Sequence, residues 1–126
     1  MLRVMRFWRE KVVKSAVVMA NELKAAAILS FTRHGHMASY ASWMRPRYSP
    51  VFAVCDTQQV ANELTLSWGV TSFIMEFDFI EPQNTIENAL KKMREQALLQ
   101  KGDTVVIIGA ISVGTELVDA VQMRII

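Results

Sequence analysis

Short, continuous apolar runs alternate along this chain with longer amphipathic stretches, and this alternation restricts the fold more than any other feature of the sequence. Residues 25–31, 51–55, 70–75 and 104–108 form four such runs. Each has the length and the residue types of a strand that is covered on both faces. Helices that alternate with buried strands specify a parallel sheet between helical layers. The sequence therefore predicts an α/β fold, a three-layer sandwich with helices on both faces.

The stretches between these runs have the periodicity of amphipathic helices. In the first stretch the apolar residues recur at three- and four-residue steps: Val13, Ala16, Val17, Ala20 and Leu23. We predict helices over 7–23 and 36–44. A third helix is expected to begin after Asp56 as its N-cap, and a fourth at a capping box formed by Asn84 and Glu87.

The last two predicted strands, 104–108 and 120–126, have no helix between them. A parallel crossover needs a dozen or more residues, usually a helix, so these two strands are not joined in parallel. Apolar and polar positions alternate in the final strand, which is typical of a strand with one covered face. We predict that the last strand is antiparallel or lies at an edge.

Length and composition favour one domain over residues 1–126, with 52% hydrophobic and 21% charged residues. No apolar run approaches the roughly 20 residues that span a bilayer. Arg3 and Arg6 interrupt the first residues, which do not resemble a secretory signal. We expect a cytoplasmic protein with no membrane partner. Cys55 is the one cysteine, and its apolar neighbours indicate a buried small side chain.

Charge is distributed unevenly along the chain. Residues 1–50 hold nine Lys/Arg and two Glu, a net +7, whereas residues 51–126 hold five Lys/Arg and ten Asp/Glu, a net −5. A basic half can steer phosphate-bearing ligands or nucleic acid. The basic residues lie at helical spacings or in short loops, without zinc-ligand spacing or an RNA-binding aromatic motif. We predict no nucleic-acid partner.

A ligand of an open α/β sheet usually binds beyond the carboxyl ends of the strands, where connections depart in opposite directions. With the first strand central, that crevice lies between loops 32–36 and 109–119. Thr32, Arg33 and a protonated His36 would stand beside the free amides of a helix N-terminus, an arrangement that suits a phosphate. The structural alternative is that Gly35 permits a tight turn and Thr32 caps the helix.

Catalytic and metal-binding motifs are not found in the sequence. His34 and His36 are two residues apart, but no cysteine or third histidine stands near them to complete a metal site. The chain contains no phosphate-binding loop ending in Gly-Lys-Ser/Thr, no Gly-x-Ser-x-Gly and no His-Glu-x-x-His. We interpret the acidic cluster of Glu76, Asp78 and Glu81 as part of a solvent-exposed loop. The residues thus favour a small-ligand or interaction domain over an enzyme.

Residues 25–38 resemble the first strand and effector loop of the carboxyl-terminal domain of the pyruvate kinase family. Further segments match in the same order: 43–46 with its Arg-Pro pair, 50–55, 64–70, and 101–106 with its Lys-Gly-Asp entry into a strand. The resemblance covers roughly residues 10–126. It implies a five-stranded sheet of order 3-2-1-4-5 with the last strand antiparallel.

The resemblance also implies a function. In that family this domain is not catalytic: it binds a sugar-phosphate effector after the first strand, closes a second loop before the last strand, and forms subunit contacts. Phosphoryl transfer between phosphoenolpyruvate and ADP takes place in a separate barrel that holds the Mg²⁺ and K⁺ sites. Nothing in this chain resembles the barrel, so we expect no catalytic residue, metal or other cofactor here.

The effector residues implied by the resemblance are Thr32, Arg33, His34, Gly35, His36, Gly114 and Thr115. The first loop departs from the family pattern, because His34, His36 and Met37 replace a serine, a basic residue and a second hydroxyl. In the later loop Glu116 and Asp119 would repel a phosphate that came within a Debye length of ~8 Å. Sugar-phosphate binding is therefore left open.

The leading hypothesis is a regulatory and oligomerisation domain of pyruvate kinase type, part of or derived from the phosphotransferase. The last strand offers an unpaired edge, so we expect a homo-oligomer formed through that strand and the flanking helices. The alternative is a free-standing sensor domain that binds phosphate or a sugar phosphate.

Overall fold

The computed structural model describes residues 2–31, 36–66, 69–113 and 115–126. Within these residues the chain forms four helices and five strands. The helices are α1 (Leu2–Leu23), α2 (His36–Trp43), α3 (Gln58–Leu64) and α4 (Pro82–Glu95). The strands are β1 (Ala27–Phe31), β2 (Val51–Cys55), β3 (Val70–Ile74), β4 (Thr104–Val113) and β5 (Glu116–Ile125).

The five strands form one mixed sheet of order β3-β2-β1-β4-β5. β1 is central, and it pairs in parallel with β2 on one side and with β4 on the other. β3 pairs in parallel with β2, whereas β5 pairs antiparallel with β4. The predicted fold class, strand order and antiparallel last strand are confirmed.

Helices cover both faces of the sheet. One face packs under α1 and α2, where Val13 and Ala20 contact a core that includes Ile28 and Ile108. On the same face α3 packs over the end of β2, in a small cluster around Cys55. The other face lies under α4 and includes Leu29, Ile107, Ile86 and Met93. Full burial of such a side chain contributes about 1.5–3 kcal/mol, so these two cores stabilise the sandwich.

The β4–β5 hairpin is longer than the sequence predicted. The ladder is continuous from the pair Thr104↔Ile125 to the pair Val113↔Glu116, and Thr115 lies in the turn between the two strands. Most of the predicted loop 109–119 is therefore strand. Gly109 indicated a loop, but it lies within β4 and packs beside the ring of Phe31.

Helix boundaries also differ from the predicted ones. α1 begins at residue 2 instead of residue 7. The N-cap of α3 is Thr57 and not Asp56, because the Thr57 side chain accepts a hydrogen bond from the amide of Val60. α4 begins at Pro82, two residues before the predicted capping box. Proline at the first helical position lacks only an amide hydrogen that would be unpaired there in any case.

Candidate functional site

The candidate site lies at the carboxyl ends of β1 and β4. From β1 the chain moves to β2 on one side, and β4 lies on the other side, so connections leave the two central strands in opposite directions. The β1–β4 pairing ends at Ser30↔Ile108, which places Phe31 and Gly109 at the mouth of the crevice. This is the switch point at which open α/β sheets bind ligands.

The first predicted effector segment is the loop between β1 and α2. Thr32, Arg33, His34 and Gly35 lie outside the described residues, and their grouping into a site stays a prediction. His36 is the first residue of α2, directly after this loop. The α2 N-terminus therefore follows the end of β1 after four residues, as an anion site at a helix N-terminus requires.

The second predicted effector segment is the tip of the β4–β5 hairpin. Thr115 is an exposed turn residue, and Gly114 lies outside the described residues. Since β4 continues five residues beyond Ile108 while β1 ends at Phe31, the hairpin extends past the carboxyl end of β1. The two segments are therefore on the same end of the sheet.

Ser30, near the carboxyl end of β1, is a residue that the sequence analysis did not single out. It is 0% exposed, and its Oγ atom has no hydrogen-bond partner among the described residues. Ser30 alternates with Leu29 and Phe31 along β1, so it lies on the face covered by α1 and α2. A buried hydroxyl without a partner costs about 1–3 kcal/mol. The one signal in the sequence was a hydroxyl inside an otherwise apolar strand.

Three aromatic rings form a row that begins at Phe31, on the face of the sheet that α4 covers. The Phe31 and Phe77 ring centroids are 6.3 Å apart, and those of Phe77 and Phe79 are 6.1 Å apart. Phe79 is half exposed at the outer end of this row. The carboxyl end of β1 therefore has an aromatic cluster on its α4 side.

The acidic loop after β3 has a structural role. Asp78 accepts hydrogen bonds from the amide of Glu81 at 2.8 Å, the side chain of Asn84 at 3.0 Å and the amide of Ile80 at 3.0 Å. These bonds hold the pKa of the Asp78 carboxyl below its usual value, with the Glu81 amide as the largest cause. Asp78 therefore holds the turn that leads into α4.

Cys55 is buried, as the sequence indicated, and its thiol contacts the carbonyl oxygen of Phe73 at 3.4 Å. Burial raises the pKa of the thiol, which opposes formation of the nucleophilic thiolate. In the part of the chain that the structure describes, no three His, Cys, Asp or Glu residues group as a metal site does. No helix in that part is long and apolar enough to cross a membrane.

A groove of about 480 Å³ lies at the opposite end of the sheet, between α4 and the end of β5. Lys91, Arg94 and Arg124 line it together with Glu87 and Glu95. Arg124 and Glu87 form an ion pair across the groove. The groove is therefore lined by charges of both signs.

Comparison with known proteins gives a consistent result. Residues 10–122 match the family model described as pyruvate kinase, alpha/beta domain. The chain is 30% identical over 99 residues to the chloroplastic pyruvate kinase isozyme A of Nicotiana tabacum. This match covers 79% of this chain and 16% of the relative. It is 38% identical over 88 residues to pyruvate kinase of Clostridium acetobutylicum, covering 70% of this chain and 18% of the relative.

Solved structures show the same fold. A Cryptosporidium parvum pyruvate kinase in complex with ADP superposes with a TM-score of 0.78 at 24% identity, over 94% of this chain and 23% of the other. A second structure from the same organism has a TM-score of 0.76 and covers 22% of the other chain. The chain thus spans less than a quarter of the length of these relatives.

Proposed function

The chain belongs to the pyruvate kinase family and corresponds to its alpha/beta domain, from which we propose that it is a regulatory and assembly domain without catalytic activity of its own. The relatives are phosphotransferases, and the matched region is only 16–18% of the two relatives compared above. We place the domain in the cytoplasm and assign it no metal or other cofactor. The observation that supports the assembly role is an exposed apolar strip on α1 and β5, beside the outer edge of the sheet.

The first part of this apolar strip lies on α1. Trp8, Val12, Met19 and Leu23 recur at intervals of four and seven residues, which places them on one flank of the helix. Trp8 is 63% exposed and Leu23 is 45% exposed. Asn21 is on the opposite flank, where its side-chain oxygen accepts a hydrogen bond from the amide of Arg47. The strip is thus on the side of α1 that faces away from the loop after α2.

The second part of the apolar strip lies on β5. Val121 packs against the same core as Val12 and Met19, so the two parts of the strip are adjacent. Met123 and Ile125 continue the strip and are 46% and 70% exposed. β5 is an edge strand, and no other strand among the described residues pairs with its outer side. An exposed apolar patch beside an open sheet edge is typical of an oligomer interface.

The assembly proposal is tested by light scattering at tens of micromolar protein. We expect the wild-type chain to be a dimer, and Met123→Asp/Ile125→Asp to be a monomer, because buried aspartates would be desolvated at the interface. Leu66→Asp is the matched control, since Leu66 is 91% exposed and lies outside the strip. A monomeric wild-type chain, or a double variant that still dimerises, would contradict the proposal.

The absence of catalysis is tested with phosphoenolpyruvate, ADP, Mg²⁺ and K⁺. Pyruvate formation by the purified chain is expected to equal that of a buffer blank. Turnover above the blank that is retained through repeated purification would overturn the assignment of a non-catalytic domain.

A second candidate function, a phosphate or sugar-phosphate sensor, is supported by Ser30. Its Oγ atom is buried near the carboxyl end of β1 and has no hydrogen-bond partner among the described residues, and α2 begins six residues later in the chain. Helix N-termini with free amides bind anions, and a hydroxyl adds a further donor. The predicted ligand residues Thr32, Arg33 and His36 follow in the chain.

This sensor function is tested by thermal shift with fructose 1,6-bisphosphate, ribose 5-phosphate, AMP and inorganic phosphate. A ligand that binds only the folded state raises stability by RT ln(1 + [L]/Kd). We expect a saturable shift with one sugar phosphate, reduced in Ser30→Ala and in Arg33→Ala. Ser15→Ala, on the exposed surface of α1, should keep the full shift. If millimolar ligand gives no thermal shift, the sensor function is contradicted and the assembly role is unaffected.

A further inference from the structure

A groove of ligand size lies between α4 and the last residues of β5, and we call it the α4–β5 groove. Its volume of about 480 Å³ falls within the roughly 300–1,000 Å³ that is usual for small-molecule sites. The last residues of β5 pair with the first residues of β4, as in Thr104↔Ile125. The groove therefore lies at the amino ends of the parallel strands, away from the switch point at their carboxyl ends.

One wall of the α4–β5 groove is a face of α4. Leu90 and Lys91 line it four and three residues before Arg94, and residues at these spacings are neighbours on a helix surface. Leu90 is buried in the core under α4, whereas Lys91 and Arg94 are exposed. This wall thus has an apolar base and a cationic rim.

The other wall is formed by β5. Arg124 and Ile126 line the groove, and their spacing of two residues places both on the same face of the sheet. Ile126 packs against the core under α4, which also contains Leu90. Arg124 forms its ion pair with Glu87 across the groove, and its Nε donates to the Gln122 side chain at 3.2 Å. These contacts hold the two walls together above an apolar floor of Leu90 and Ile126.

The charges of the α4–β5 groove are not fully paired. Three of its side chains are cationic and two are anionic, a net charge of +1: Lys91, Arg94 and Arg124 against Glu87 and Glu95. Arg124 neutralises Glu87. Lys91 and Arg94 form no ion pair with any residue that the structure describes. Because a guanidinium can bind both oxygens of a carboxylate, Arg94 has donors available for an anion.

We propose that the α4–β5 groove binds a small carboxylic acid with an apolar body, in its monoanionic form. Arg94 and Lys91 bind the carboxylate, and the apolar body lies on Leu90 and Ile126. The net charge favours a monoanion, because Glu95 on the same wall opposes the second charge of a phosphate ester. The site is independent of the function proposed above, since Lys91 and Arg94 lie outside both the switch point and the apolar strip.

Isothermal titration calorimetry with 4-phenylbutyrate tests this site, because this probe joins one carboxylate to an apolar ring. We expect saturable binding to the wild-type chain. The uncharged 4-phenylbutanamide has nearly the same shape and should bind about tenfold more weakly, since it lacks the charge-assisted bonds to Arg94. The absence of saturable binding at millimolar probe, or equal binding of the amide, would overturn the proposal.

Charge variants locate the probe within the groove. Arg94→Gln should weaken binding about fivefold, whereas Glu95→Gln should strengthen it about twofold, because each change removes one exposed charge of opposite sign. Arg47→Gln is the matched control, since Arg47 is exposed and lies outside the groove. A probe that binds Arg94→Gln as tightly as it binds the wild-type chain would overturn the proposal.

Arg33→Ala separates this site from the sensor function. This variant is expected to reduce the response to sugar phosphates and to leave the affinity for 4-phenylbutyrate unchanged. A loss of probe binding in Arg33→Ala would assign the probe to the switch point and overturn the groove site. A groove site that fails these tests leaves the assembly and sensor experiments unaffected.

Discussion

At the scale of single residues, the unusual feature is how the helices end. Lys24, Arg45 and Ala97 all have positive φ angles, of 49°, 48° and 59°. After α4, the amide of Leu98 bonds to the carbonyl of Met93 and the amide of Ala97 to that of Arg94. This is the Schellman arrangement, in which the left-handed position is usually glycine. Here each such position carries a side chain, which costs stability.

We predict that Ala97→Gly stabilises the protein by about 0.5–1 kcal/mol, because glycine removes the left-handed penalty at the cost of some backbone entropy. Lys91→Gly is the matched control in the same helix, and we expect it to destabilise by about 1 kcal/mol. Urea unfolding of both variants measures the change. Equal destabilisation by the two glycines would contradict the strained ending of α4.

At the scale of elements, the start of α4 shows how a helix can be fixed from outside its own residues. Its N-cap residue, Glu81, makes no side-chain capping bond. The carboxylate of Asp78, three residues earlier, accepts hydrogen bonds from the amides of Ile80 and Glu81. The amide of Asp78 donates to the hydroxyl of Thr85 in α4 at 2.8 Å. The loop and the first turn of α4 are therefore one hydrogen-bonded unit.

This unit predicts a pH dependence. The pKa of Asp78 is lowered in the folded chain, so its contribution to stability is complete above the ordinary value of about 3.9 and is lost as pH falls through the folded value. We expect the free energy of urea unfolding to fall less steeply below pH 4 in Asp78→Asn than in wild type. Asn84→Ala, which removes one bond to Asp78, should give an intermediate slope. Identical slopes for Asp78→Asn and wild type would contradict this role.

A strand that is covered on both faces along its length was predictable from the sequence. β2 was predicted with its observed bounds, because a continuous apolar run occurs where both faces of a strand are covered. The length of the β4–β5 hairpin was underestimated. Backbone hydrogen bonds hold the hairpin together beyond Ile108, and the pattern of side chains does not reveal these bonds. Ser30 was missed for a related reason: whether a buried hydroxyl has a partner depends on neighbours distant in sequence.

At the scale of the whole molecule, stability depends on a central strand that is completed late in the chain. β1 needs β4 on its open side, and Ala27 pairs with Val105. The core under α4 likewise requires Val105 and Ile107. The fold is therefore not divisible into an amino-terminal part that is stable alone and a carboxyl-terminal hairpin that is added to it.

We predict that residues 1–103 alone show no cooperative thermal transition, because β1 then has an unpaired edge and both cores lack β4. A chain that begins at residue 8 is the control, since it removes only the first turns of α1, which end at the exposed Phe7. Circular dichroism during heating distinguishes the two chains. A cooperative transition in residues 1–103 would show that β4 is dispensable.

The central position of β1 also has a consequence during synthesis. β1 is made before its partner β4, which leaves the ribosome only after some seventy further residues have been translated. Throughout that interval Ala27, Leu29 and their neighbours are available to other nascent chains. We therefore expect the newly made chain to depend on a chaperone that binds extended apolar segments until β4 is translated.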